Sequence, residues 1–122
     1  MKLHLTTAEN NNLITAYGAD YIEINKQRYP HNLIVTPEAL IHDWEAVNFA
    51  ELNNKHFEKI ADLNPEVVLL GTGATHLFLH PKHYRSLTDN GIALECMSTA
   101  AACRTYNILM SEGRTVTAAL IL

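Results

Sequence analysis

Basic residues are scarce in this chain. Lys and Arg number 9 against 13 Asp and Glu, for a net charge of −4 at pH 7. Arg85, Arg104 and Arg114 stand apart, whereas duplex binding depends on clustered cations that neutralise phosphates. Nucleic acid is therefore excluded as a partner class. Cysteine is nearly absent too. Cys96 and Cys103 form neither a disulfide framework nor a CxxC pair, which fits free thiols in a reducing compartment. Long apolar runs are missing, and Val67-Val68-Leu69-Leu70 falls far short of the ~20 residues of a membrane helix. Met1-Lys2-Leu3-His4-Leu5-Thr6-Thr7 carries one positive charge without the apolar stretch of about 7 to 15 residues that an export signal requires. These absences predict a cytoplasmic protein with no membrane span.

Charged residues make up only 18% of the chain and hydrophobic ones 48%, which excludes disorder as the default state. A chain of 122 residues is expected to form one domain over 1–122. At this size roughly two-thirds of the unfolded surface is buried, enough for a core without disulfides or metals. Histidine is the compositional excess. Protonating all seven would carry the net charge from −4 to +3, so charge below neutrality depends on their surroundings.

The first half reads as β structure. Leu13–Tyr17 and Tyr21–Ile24 flank the turn Gly18-Ala19-Asp20, and Asn25-Lys26-Gln27-Arg28 suggests a second turn. Leu33–Val35 is a further strand stopped by Thr36-Pro37, and Leu40–Trp44 a partly alternating one. The rhythm then changes. Asn54–Leu63 has helical spacing, Glu66–Leu70 is an apolar strand of the kind buried on both faces, and Leu77–Leu79 suggests a brief strand. Pro81 is expected to open a helix carrying Tyr84 and Leu87, with Gly91 at its end. Ile92–Met97 is a strand, Ser98 caps a helix through Glu112 that Gly113 terminates, and Thr115–Leu122 closes the chain as a strand. Alternating strands and helices from Glu66 onward imply right-handed parallel crossovers. The fold class is α/β: an N-terminal β meander layered against a C-terminal β/α unit with a mixed sheet and about three helices.

Gly71, Thr72 and Gly73 follow the apolar strand directly. Two glycines permit positive φ and a concave run of N–H groups suited to an anion. Neither the P-loop pattern nor GxGxxG is present, since no Lys follows until Lys82 and His76 stands at the third glycine position. The simpler reading is a tight strand-exit turn. Ligands of open α/β sheets sit beyond the carboxyl ends of the strands. If Ile92–Met97 neighbours the apolar strand, Gly71–Gly73 and Ser98–Thr99 converge on a crevice beside a helix N-terminus. Such a crevice would favour an anionic or carbonyl-bearing group. On the last helix, Ala102, Tyr106, Leu109 and Met110 share an apolar side, while Arg104, Asn107 and Ser111 fall opposite. Those three form either a solvated or hydrogen-bonded face, or the lining of a pocket or partner surface.

Metal and catalytic readings find less support. His76 and His80 on a strand would lie ~13 Å apart, and His83 shares no fixed face with them. Ser98 lacks a GxSxG elbow, and its capping role accounts for it. Cys103 falls toward the apolar side of its helix. No close carboxylate pair suggests acid–base work. Neither a metal nor a cofactor is expected, and the balance leans away from an enzyme.

The segment Glu95-Cys96-Met97-Ser98-Thr99-Ala100-Ala101-Ala102-Cys103-Arg104-Thr105-Tyr106-Asn107-Ile108-Leu109, followed by Ser111-Glu112-Gly113-Arg114 and a terminal apolar strand, resembles the Mth-domain family, a family of unknown function widespread in bacteria. Gly71-Thr72-Gly73 matches it as well, and the resemblance covers essentially the whole chain. The family often has an acidic residue at the position of Ser98 and a glutamine at that of His76. The resemblance implies a compact α/β domain with no established active site. Because animal members include an assembly factor for respiratory complex I, it also implies a non-enzymatic, protein-binding or assembly role with a protein partner. The alternative is a small-molecule binding protein or enzyme using the crevice at Gly71–Gly73 and Ser98.

Overall fold

A computed structural model describes residues 11–122. The first residues of the chain, read above for an export signal, lie outside the described residues. Strands β1 (Ile14–Gly18), β2 (Tyr21–Ile24) and β3 (Gln27–Tyr29) form an antiparallel meander. The remaining strands are β4 (Leu33–Val35), β5 (Leu40–Ile41), β6 (Val67–Thr72), β7 (Ala93–Met97) and β8 (Val116–Ile121). They make one sheet in the order β5-β4-β8-β6-β7, with β6 parallel to both β7 and β8 and the β4 pairs antiparallel. Helices α1 (Asn54–Asp62), α2 (Arg85–Thr88) and α3 (Thr99–Ser111) complete the fold.

The wholly buried strand β6 explains the layering. Val67 and Leu69 point to one side, into a core shared with Ala102, Tyr106 and Met110 of α3 and with Ile14, Ile22 and Ile24 of the meander. Val68 and Leu70 point to the other side, where Phe57 and Ile60 of α1 and Leu87 of α2 pack. A strand with apolar cover on both faces reads as a continuous apolar run. The chain steps from β6 to β7 through α2 on one face, then back across β6 to β8 through α3 on the other. That exchange of faces is what right-handed crossovers in opposite directions require. The meander forms a second layer beside α3, as the α/β reading expected, whereas β4 and β5 belong to the main sheet.

Local chemistry accounts for the differences from the sequence reading. The second turn is only Asn25-Lys26, both at positive φ (51° and 74°), the backbone of a two-residue hairpin turn. Gln27 and Arg28 therefore pair with Ile24 and Glu23 as β3, a polar strand that hydropathy does not reveal. Leu40–Trp44 is a strand only at its first two residues. Trp44 turns into the core beside Phe57, and its indole N–H donates to the His56 carbonyl at 3.1 Å. Leu77–Leu79 is not a strand, because the Leu77 N–H donates to the Thr72 hydroxyl at 3.0 Å and only Leu79 is buried. Pro81 opens a single 3₁₀ turn (Pro81–His83), and the α-helix begins at Arg85.

One helix ties both layers together. Asn107 of α3 turns its side-chain amide onto the edge of β1. Its Oδ1 accepts from the Ile14 N–H at 3.0 Å, and its Nδ2 donates to the Ile14 carbonyl at 2.8 Å. The amide thus acts as a neighbouring strand would. Tyr106 adds a bond from its hydroxyl to the Asn12 carbonyl at 2.8 Å. Replacing Asn107 with Ala leaves two part-buried backbone groups without partners, and each such loss costs about 1–3 kcal/mol. Asn107→Ala is expected to lower stability by ~2 kcal/mol or more in urea titration. Amide exchange at Ile14 should accelerate more than exchange in β6.

Candidate functional site

The carboxyl ends of β6 and β7 do lie together. Gly71 pairs with Met97, and the Met97 strand exits through Ser98 into α3. Helix and sheet approach closely here because Gly71 lacks a side chain. A Cβ at Gly71 would sit 2.9 Å from Thr99 Oγ1 and 3.0 Å from both Thr99 Cα and a Leu120 methyl. Gly73 differs. No atom would lie within 4 Å of its Cβ, but its φ is +101°, a conformation that suits glycine.

The polar groups of this crevice bind one another. The Gly73 N–H donates to Thr99 Oγ1 at 2.8 Å, and the Thr99 hydroxyl donates to the Ile121 carbonyl of β8. The Thr99 N–H returns to the Gly73 carbonyl at 2.9 Å. Thr72 Oγ1 contacts the Thr75 carbonyl and the Met97 carbonyl (3.1 Å), and accepts from Leu77 N–H. Ser98 Oγ accepts from Ala101 N–H at 3.2 Å and caps α3. The five residues Gly71, Thr72, Gly73, Ser98 and Thr99 are thus brought together as a knot joining β6, β7, β8 and α3.

A cleft of about 480 Å³ opens beside this knot. Gly73 and Thr99 contribute to its wall, with Ala74, Ala100, and Tyr17 and Gly18 from the first hairpin. Ser98 does not line it. Ala100 lies in the first helical turn, where N–H groups have no intrahelical acceptor. Arg104 is exposed, and its guanidinium donates to the Tyr17 hydroxyl at 3.0 Å, so it reaches the rim through Tyr17. Asn107 is occupied by β1, and Ser111 Oγ donates back to the Asn107 carbonyl at 2.8 Å. The side of α3 opposite its apolar stripe is therefore divided, with Arg104 at solvent and Asn107 covered by the meander. The contribution of Tyr17 and Gly18 escaped sequence reasoning, since nothing local to a hairpin reports which helix it will face. A signal for the β1 contact did exist: Asn107 is a poor helix former in mid-helix, placed where a partner would satisfy it.

The remaining candidate groups have structural surroundings. His56 Nδ1 accepts from Asn53 N–H in a capping box, and His80 Nδ1 accepts from Lys82 N–H. The His76 ring lies against Phe78, centroids 4.4 Å apart. Among the described residues no three His, Cys, Asp or Glu side chains are grouped to hold a metal. Cys103 is buried in the α3 core, and burial pushes its thiol up to about 12, away from any nucleophilic role near neutrality. Burial raises the half-buried Cys96 as well.

The family described as "Protein of unknown function (DUF498/DUF598)" matches residues 14–121. The chain belongs to this family. A Bordetella parapertussis protein of solved structure is 42% identical and superposes with a TM-score of 0.85, over 91% of this chain and 95% of that one. A Bordetella pertussis protein described as a Mth938-like domain is 35% identical with a TM-score of 0.79, over 90% and 85%. The Mth-type resemblance and the α/β fold are therefore correct. Bovine NADH dehydrogenase (ubiquinone) 1 alpha subcomplex assembly factor 3 is 31% identical over 88% of this chain and 59% of its own length. The chain thus spans about three-fifths of the bovine relative. A Francisella tularensis relative named "13 kDa major membrane protein" is 27% identical over 80% of each chain. Among the described residues of this chain, no helix is long and apolar enough to cross a membrane.

Two outcomes follow from this geometry. Gly71→Ala forces α3 from β6 and should cost ~1–3 kcal/mol in denaturant unfolding, the usual range for overpacking. Gly73→Ala meets no atom and should cost ~1 kcal/mol, from backbone strain alone. The Cys103 thiol is harder to ionise folded than unfolded, so its contribution to stability is full below its unfolded value near 9 and is lost as pH rises toward about 12. Burial raises Tyr106 in the same sense. Stability should fall by ~1.4 kcal/mol between pH 8 and pH 10 on account of Cys103. Cys103→Ala, though less stable overall, should show a shallower decline in melting temperature over that interval.

Proposed function

We propose that this chain is a non-enzymatic, protein-binding module of the assembly-factor type. The observation that carries the reading is its relation, over 88% of its length, to a protein named as an assembly factor. The geometry is consistent with it. The polar groups of Gly71–Gly73 are engaged in holding four elements together, and the loop after Gly73 exposes Leu77 and Phe78, the latter 82% exposed. The proposal sets the protein in the cytoplasm, a reducing setting that suits the free thiols of Cys96 and Cys103. The cleft beside Gly73 and Thr99 supports a second reading, binding of a small anionic or carbonyl-bearing molecule near the α3 N-terminus.

Capture with the tagged full chain decides between them. The first reading expects one definite protein, retained through repeated capture from the soluble fraction of the native lysate. That protein, purified separately, should form a stoichiometric complex when remixed with the chain. Background proteins alone, together with a metabolite that raises the melting temperature by roughly 5 °C or more at 100-fold its Kd, would overturn it in favour of the cleft. Recovery only from the membrane fraction would overturn the cytoplasmic setting.

A further inference from the structure

The main sheet ends on β7, whose five residues pair with β6 along one edge only. Among the described residues, no backbone hydrogen bond reaches its other edge from outside the sheet. Alternate residues of an edge strand turn their N–H and C=O groups outward, a template for another extended chain. The other edges are managed. The β1 edge is engaged by Asn107 at Ile14, β5 has two residues, and β3 has three, with Arg28 exposed. Among the described residues, β7 presents a five-residue strand with no hydrogen bond on its outer edge.

Two features adjoin that ladder. Glu95, at its centre, is exposed and forms no ion pair among the described residues. The second is the loop after Gly73. The Thr72 hydroxyl joins Leu77 N–H to the Met97 carbonyl, and the Cys96 thiol meets the Leu79 backbone. Leu77 (41% exposed) and Phe78 (82% exposed) consequently stand beside the carboxyl end of β7. The His76 ring lies against Phe78, which remains largely exposed. An open backbone ladder, an exposed carboxylate that interacts with Arg114 but forms no ion pair among the described residues, and an exposed aromatic describe a strand-addition site.

We infer that β7 receives an extended segment of a protein partner, which adds a sixth strand, places a Lys or Arg opposite Glu95 and covers Phe78 with an apolar side chain. A second copy of this chain is the poorer occupant. Antiparallel pairing of two β7 strands about Glu95 would set two carboxylates face to face, and like charges directly opposite are destabilising. The inference rests on the protein-binding reading and names where and how that binding occurs.

The probes are two synthetic ten-residue peptides of alternating Val and Thr, one with a central Lys and one with a central Glu. They are titrated into the ¹⁵N-labelled full chain. The Lys peptide is expected to shift the amides of Ala93–Met97, slow exchange of the outward-facing ones, and bind about tenfold more tightly than the Glu peptide. Glu95→Lys should reverse that order, and Phe78→Ser should weaken both peptides about tenfold. Both substitutions are at exposed positions, and an unchanged melting temperature verifies folding. Perturbation confined to another edge, no perturbation at millimolar peptide, or a dimer of the chain alone with protected β7 amides would each overturn the inference. A captured partner that binds the Glu95→Lys, Phe78→Ser double variant undiminished would overturn this site and leave the protein-binding reading standing. Failure to capture any partner would overturn the reading itself.

Discussion

The close approach of α3 to β6 at Gly71 is the contact on which the remaining architecture depends. With no side chain at Gly71, the Thr99 backbone comes against the strand. The Thr99 hydroxyl can then serve β6 and β8 at once, through the Gly73 N–H and the Ile121 carbonyl. This sets the depth at which the helix starts. Everything farther along α3 inherits that depth, including the burial of Ala102, Cys103, Tyr106 and Met110 against the sheet. It also sets the height of Asn107, which reaches the Ile14 peptide only because the helix lies where it does. The meander is thus held to the main sheet by a helix whose position is decided at its first residue.

That arrangement gives Gly71-Thr72-Gly73, whose first two residues end β6 rather than follow it as expected, a meaning different from that of a phosphate-binding loop. Anion-binding turns present N–H groups that converge on empty space. Here the Gly73 N–H converges on a threonine hydroxyl of the same chain. The motif is placed at the carboxyl ends of parallel strands, where α/β folds bind ligands, but its hydrogen bonds run inward. The open space lies to one side, between the first hairpin and the first turn of α3. Leu77 and Phe78 are exposed on the following loop, next to a strand that, among the described residues, is paired along one edge.

Much of this was legible in the residues. The alternation of apolar runs with helical spacing, the caps at Ser98 and Gly113, and the proximity of Gly71–Gly73 to Ser98–Thr99 follow from local signals. β3 was not legible, because Gln27-Arg28-Tyr29 is polar and owes its strand to a turn whose two residues both take positive φ. The strand expected at Leu77–Leu79 failed for the opposite reason. Its composition is apolar, but the Leu77 N–H is taken by Thr72, and Leu77 and Phe78 face solvent while Leu79 is buried. Trp44 shows the same competition, leaving the β5 ladder so that its indole N–H can find an acceptor in α1.

Taken alone, the sequence determined what each segment would be, since periodicity, capping residues and turn glycines act over a few neighbours. It determined the acidic balance, the two isolated thiols and the kinship of the chain. Tertiary structure alone decided which face each segment would meet. It assigned β4 and β5 to the main sheet, turned Asn107 from a polar-face residue into the surrogate neighbour of β1, and, among the described residues, left β7 paired along one edge. The physical reason is range. A cap or turn is satisfied within three or four residues, whereas the partners of Asn107 and Thr99 lie 93 and 22 to 26 positions away, and only the packed chain brings them within hydrogen-bonding distance.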